Sequence, residues 1–268
     1  MNPQLDVLYE DNHILVLNKP PQLATMGVDQ RTSSLLQLAK EYIRHRYNKP
    51  GNVYLGVVSR LDSFTSGVVV FARTSKAAGR LSGQFLNRQV QKFYLCATPA
   101  MPRSQFIEDL QPWLGPFPHR WEDWVWHDDQ ARRMRSLGTV GEQKDPVGAK
   151  RAELEWRPLR RTAQGQINLV RLLTGRKHQI RVQFSSRDMA IVGDRKYDSS
   201  LAFPHGIALH AWLLGFPHPV KDQMMHFSAS LPASWNRLGN PPGDVSKSDC
   251  TEYFARLAQT WNSQNQVE

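Results

Sequence analysis

Hydrophobic positions along the chain repeat with two periods. Residues 6–20, DVLYEDNHILVLNKP, set two apolar stretches either side of Glu10-Asp11-Asn12. This pattern predicts strand, tight turn and strand, stopped at Pro20-Pro21 because proline donates nothing to a ladder. Residues 34–47 change to helical spacing through Leu35, Leu38, Ala39, Tyr42 and Ile43. Ser34 and Gln37 have the separation of a capping box, and Arg44 and Arg46 fall where the helix dipole favours cations. After Pro50-Gly51 the pattern predicts a strand over Val53 to Leu61, a polar turn from Asp62 to Gly67 and a buried strand from Val68 to Ala72.

A second helix is expected over residues 75–87, with Leu81, Phe85 and Leu86 inward and Lys76, Arg80 and Arg88 left for solvent or phosphate. Strand character resumes over Gln91 to Thr98. Residues 102–146, with Trp113, Trp121, Trp124 and Trp126 among scattered Pro and Gly, read as an irregular insertion. Residues 151–159 and 166–173 alternate as paired strands, and Ile207 to Leu214 reads as another. A polar tail from Gly239 is expected to hold a short helix near Glu252 to Thr260 and to be mobile in part. Strands and helices in no strict alternation predict an α+β fold with a mixed, largely antiparallel sheet and flanking helices. The expected organisation is one domain over residues 1–238 and a tail over 239–268.

Composition narrows the partners. Thirty-four Lys and Arg against 24 Asp and Glu leave a formal charge of +10, the footprint of a protein that meets phosphates. No apolar run approaches the roughly 20 residues of a membrane span, and the first ten residues lack the pattern of a leader peptide. Two cysteines, Cys96 and Cys250, form no C-x-x-C pair, which excludes a disulfide framework and a cysteine zinc site and suits a reducing cytoplasm. The nine histidines have no metal-ligand spacing.

The chemistry concentrates in SRLDSFTSG at 59–67, where an Arg and an Asp two residues apart precede a Thr-Ser-Gly turn between apolar strands. Alone, Asp62 reads most simply as a carboxylate that accepts bonds from its own turn. Further polar motifs accompany it: NKP at 18–20, KFYL at 92–95, TGRKHQIR at 174–181, GDRKY at 193–197, LHA at 209–211 and HP at 218–219. In this order, over about residues 6–235, the seven resemble the RluA family of pseudouridine synthases.

The resemblance implies a pseudouridine synthase-like catalytic domain that isomerises uridine in structured rRNA or tRNA, without metal or organic cofactor. Asp62 is then the catalytic carboxylate, Arg181 the guanidinium beside it, and Tyr94 the ring against the target base. Arg60 would fill the space that an extruded uridine leaves, since a stacked base cannot be reached in place. Arg176, Lys177 and His178 are expected to contact backbone or phosphate rather than take part in chemistry. A single carboxylate can suffice, because uracil is retained and water excluded, whereas a glycosidase needs a second acid.

Three positions depart from the family pattern: Ser59 and Gln183 stand where histidines are usual, and PPQLATMG replaces the usual glycine after Lys-Pro. These bear on RNA contacts rather than on the reaction. No separate RNA-binding module is expected before the opening hairpin, so the catalytic domain would hold RNA itself, as a monomer without an obligate protein partner. Nine Lys and Arg between Arg132 and Arg161, against four acids, offer a basic surface next to the tryptophans, at least half of which are expected in the core. Arg44, Arg46 and Lys49 form a second basic cluster. The rival readings are a catalytically drifted RNA-binding or assembly protein on the same scaffold, and a glycosidase that would release free uracil.

Overall fold

A computed structural model describes residues 5–27, 33–102, 117–137, 148–163, 165–239 and Phe254. The chain gathers into two compact units, Met1–Gln91 with His210–Pro232 and Lys92–Leu209 with Ala233–Glu268.

In the first unit, strands β1 (Asp6–Glu10) and β2 (Ile14–Lys19) form the opening hairpin. Helix α1 (Leu35–Arg46) begins on Ser34, whose hydroxyl accepts the Gln37 amide while the Gln37 side chain accepts the Ser34 amide. A short β3 (Gly56–Val57), the central β4 (Ser66–Ala72) and helix α2 (Ser75–Leu86) follow. The chain later returns as β10 (Leu209–Pro217) and β11 (Met224–Ser228). Strand β4 pairs antiparallel with β2 on one edge; on the other it runs parallel to β10 at its start and antiparallel to β3 at its end.

All of β4 is buried because both its faces are covered. Val68, Val70 and Ala72 share a core with Ile14 and Val16 of β2 and with Ala77 and Leu81 of α2. Val69 and Phe71 share the opposite core with Leu15, Leu17 and, from α1, Leu35, Ala39 and Ile43. Each such aliphatic side chain contributes about 1.5–3 kcal/mol on full burial, so β4 is anchored from both sides and its entry turn starts from a rigid base.

The second unit contains strands in the order β5 (Gln91–Thr98), β9 (Gly165–Leu172), β8 (Lys150–Thr162), β6 (His119–Asp128) and β7 (Arg133–Leu137), antiparallel throughout. A one-turn 3₁₀ segment at Arg195–Tyr197, helix α3 (Gln179–Ser185) and a 3₁₀ stretch at Ala233–Leu238 complete the unit. Trp121, Trp156 and Phe184 form an aromatic cluster with centroids 4.8–5.5 Å apart, within the range that favours tilted ring pairs.

The fold is α+β with mixed, mostly antiparallel strands, as the pattern predicts, but several elements differ. The strand expected over Val53–Leu61 pairs only at Gly56–Val57, opposite Ala72 and Phe71; Val53 and Leu55 are buried in the α1-side core without a ladder, because the register puts them past Ala72, where β4 ends, and β10 holds the start of the same edge. Leu86 is 82% exposed: the inward stripe of α2 is Ala77, Leu81 and, in part, Phe85, and Leu86 lies one residue, about 100° of helical turn, off it.

The expected irregular insertion at 102–146 contains the hairpin β6–β7. Buried Asp123 interrupts the apolar alternation of β6 and conceals it in the sequence. Among the described tryptophans of this stretch, Trp121, Trp124 and Trp126 are half-buried, and Trp113 lies outside the described residues. Part of the neighbouring basic density is ion-paired: Arg133 with Asp198, Arg135 with Asp128, and Arg151 with Glu122 and Glu153. The tail helix expected near 252–260 lies outside the described residues except for Phe254, which is helical, buried and edge-on to Phe93 at 5.9 Å.

Candidate active site

Asp62 opens a turn that leads into β4, closed by the Thr65 amide donating to the Asp62 carbonyl at 3.1 Å. The turn is fastened from beneath. The Leu61 amide donates to the Thr25 hydroxyl at 3.1 Å, and that hydroxyl donates to the Leu61 carbonyl at 2.8 Å. Lys19, at the end of β2, is fully buried, and its Nζ donates to the carbonyls of Pro20 (2.8 Å), Leu23 (2.7 Å) and Ser63 (3.1 Å). Three acceptors match the three hydrogens of an ammonium group. Burial pulls the Lys19 pKa down to about 7, opposed by the Asp62 carboxylate. A desolvated cation therefore sits under the turn that presents Asp62, which is half-buried, between exposed Arg60 and exposed Phe64.

The start of β4 is fastened from the other side. The fully buried His210 on β10 donates from Nε2 to the Ala229 carbonyl at 3.1 Å, so its Nδ1 accepts from the Ser66 hydroxyl at 2.8 Å. Burial lowers its pKa to about 4 and keeps the ring neutral. Gly67, at φ 114°, runs so close to β10 that a Cβ there would lie 2.1 Å from the Ala211 carbonyl oxygen, so only glycine fits. Away from this turn, His218 Nδ1 accepts the Val220 and Lys221 amides while Nε2 donates to Asp11 at 2.9 Å, tying the end of β10 to the β1–β2 turn. Burial works against ionisation of Asp11, but the His13 and Ile14 amides, with Lys221 and His218, hold its carboxyl well below the usual range.

In the second unit Tyr94 lies on β5 opposite Val170 of β9, half-buried between the fully buried Phe93 and Leu95. Arg181, on α3, is 4% exposed, and its Nε and Nη2 donate to the two oxygens of the buried Asp194 at 2.6 and 2.8 Å. The Tyr197 ring lies 4.9 Å from its guanidinium carbon. A two-point clamp of this kind orients a guanidinium as a single contact cannot.

Before α3, the Arg176 amide donates to Gln179 Oε1 and its Nε to the Arg151 carbonyl at 2.9 Å. Lys177 is exposed, and His178, in the left-handed region, shares a 2.8 Å bond between its Nδ1 and the Tyr197 hydroxyl. Gln183 is buried, with its amide on Asp123 at 3.1 Å, and Asp123 is also gripped at two points by Arg187. The histidine-to-glutamine departure thus lies in an interior network, while Ser59 is half-buried just before the Asp62 turn.

The structure brings Arg60 and Asp62 together on one turn, and Arg176, Lys177, His178 and Arg181 along one helix entry; Tyr94 lies on a strand of the same unit as the latter group. Arg181 and Asp62 belong to different units. Sequence reasoning missed Lys19, Asp194 and His210 as parts of this scaffold, although NKP, GDRKY and LHA each contained one. The available signal was an isolated charged or polar residue inside an apolar strand or beside a glycine, which a buried partner alone makes tolerable.

Comparison with known proteins identifies the family. A family model described as RNA pseudouridylate synthase matches residues 13–186. The dual-specificity RNA pseudouridine synthase RluA of Escherichia coli K12 is 30% identical over 231 residues, covering 85% of this chain and 93% of that protein. The ribosomal large subunit pseudouridine synthase D of Xylella fastidiosa is 34% identical over 244 residues, covering 85% and 66%. In fold, the human RNA pseudouridylate synthase domain containing 4 superposes with a TM-score of 0.69 at 22% identity, over 89% of this chain and 95% of that one. The chain belongs to the RluA family of RNA pseudouridine synthases and is an isomerase that acts on RNA.

Proposed function

We propose that this enzyme converts specific uridines of structured rRNA or tRNA to pseudouridine after extruding the target base, with Asp62 as the catalytic carboxylate. The reaction breaks the N1–C1′ bond, forms a C5–C1′ bond and moves the C5 proton away from the ring while N1 gains one, so that no atom is lost. It calls for no cofactor. Arg181, oriented by Asp194, holds the negative charge of Asp62. Tyr94 lies against the uracil ring, and Arg60 occupies the vacated stack. Arg176, Lys177 and His178 line the RNA approach, where Lys177 offers its charge to phosphate.

The supporting observation is the Asp62 turn itself: the backbone at 61, 62, 63 and 65 is hydrogen-bonded, with three of these four bonds made to Lys19 and Thr25 earlier in the chain. Such fastening holds a reacting group in place before substrate arrives, which is where much of an enzyme's advantage lies. The family assignment does not favour the drifted, non-catalytic alternative. We also propose a cytoplasmic monomer; among the described residues no helix is long and apolar enough to cross a membrane.

The test is incubation of the purified protein with bulk RNA from its source strain lacking this enzyme, followed by adduct mapping of pseudouridine and chromatography of the supernatant. The expected result is one or a few new modified positions in rRNA or tRNA and no free uracil. No new position, or release of uracil, refutes the proposal.

A further inference from the structure

Phe64 is 48% exposed, whereas Thr65 and every residue of the following strand, Ser66–Ala72, are buried. The two cores beside it take Val68, Val69 and, in part, Leu61, but not Phe64. It occupies the third position of the Asp62 turn, where small or polar residues are usual and a phenylalanine contributes nothing to the turn. A single exposed apolar side chain is ordinary on a protein surface. This one differs in standing on a fastened turn: the Ser63 carbonyl is held by Lys19, Leu61 by Thr25, and the Thr65 amide by Asp62. The backbone that carries the ring is thus held in place, with the Phe64 Cα at most about 7 Å from that of Asp62.

We propose that Phe64 is a stacking platform for an unpaired base next to the uridine that Asp62 acts on. The inference rests on the reading of Asp62 as the reacting group and adds a substrate requirement: the neighbouring nucleotide must be unstacked from its own helix. Extrusion of a uridine breaks its stack with that neighbour. An exposed ring held close by offers the freed face a replacement. Because a phenyl ring carries no donor or acceptor, it accepts any base, so the platform selects for loop structure rather than for sequence. Arg60, exposed two residues before Asp62, supplies the cation, so the segment entering and forming the turn carries cation, carboxylate and ring at alternate positions.

The test uses the full-length protein carrying Asp62→Asn, so that no chemistry intervenes, and two fluorescent probes: a ten-residue oligouridylate and an abasic strand with the same backbone. Anisotropy should show tighter binding of the oligouridylate. Adding Phe64→Ala should weaken oligouridylate binding about tenfold, within the range for loss of one stacked base, and leave the abasic strand unaffected, while Phe64→Trp should retain the preference. Equal affinity of the parent protein for both probes, an unchanged oligouridylate affinity in Phe64→Ala, or an equal loss on both probes overturns the proposal.

A second measurement separates it from the catalytic reading. With Asp62 intact and the mapped RNA as substrate, Phe64→Ala should raise KM about tenfold, for the same stacked base, and leave kcat nearly unchanged. Stacking without any isomerisation by the wild type would count against the catalytic reading alone. Isomerisation with no effect of Phe64→Ala on either binding or KM would count against the platform alone.

Discussion

Lys19 fastens the turn on which the proposed reaction depends. Its ammonium is spent on three carbonyls, so Lys19→Met keeps volume but leaves those acceptors without partners, at a cost of about 1–3 kcal/mol each if they stay dry. The expected outcome is a clearly lower melting temperature and a kcat reduced more than KM is raised, read by thermal denaturation and steady-state kinetics on the same preparation. Asp194 has the corresponding role for Arg181. Asp194→Asn leaves a buried guanidinium short of its charge partner, an error that typically costs 3–5 kcal/mol. It should lower stability and kcat together, and Asp194→Glu should recover part of both. A kcat that stays at the wild-type value in Asp194→Asn would show that Arg181 needs no such clamp.

Among the elements, the β4–β10 pairing carries a pH dependence of definite sign. His210 is buried neutral with a pKa near 4, below its ordinary 6.5. Between these values the unfolded chain binds the proton that the folded chain refuses, so stability is full above pH 6.5 and falls as pH drops toward 4, by about 3 kcal/mol at most. Thermal melts over that range should show the decline, and His210→Gln should flatten it. At the start of α1, Ser34→Ala should cost about 1 kcal/mol by removing the cap, visible as a lower melting temperature without loss of RNA affinity.

These two elements also show what the sequence could and could not reveal. The α1 capping box was legible because cap and helix are local. The Ser66–His210 bond joins residues 144 positions apart, and nothing in the spacing of either announces the other. Helix α3 was missed because Gln179, Arg181 and Gln183 alternate with Ile180, Val182 and Phe184 and all six are buried, a period of two that lacks the single apolar stripe of a helix. Buried Asp123 likewise broke the alternation that would have revealed β6. The candidate site was more legible than its scaffold: Asp62, Tyr94 and Arg181 stood out through a family resemblance, whereas the hydrogen bonds of Lys19 and Asp194 become visible only once the chain is folded.

For the whole molecule, the +10 charge makes RNA binding salt-dependent, because bound phosphates release counterions. Affinity for the substrate RNA should therefore fall log-linearly with salt, with a slope that Lys177→Ala reduces by less than about one unit, as expected for a single phosphate contact on a single strand. Arginines already paired within the protein, such as Arg133 and Arg135, should affect that slope less. In the proposed reading the charge gathers the RNA, and the reaction is left to Asp62, on a turn that folding has already fastened. That division of labour is tested most directly by measuring, on the mapped RNA, both the single-turnover rate and the dissociation constant of Asp62→Asn beside wild type. The account predicts no detectable pseudouridine with an affinity within about threefold of wild type, a difference of well under 1 kcal/mol; pseudouridine formed at the wild-type rate by the variant would contradict it.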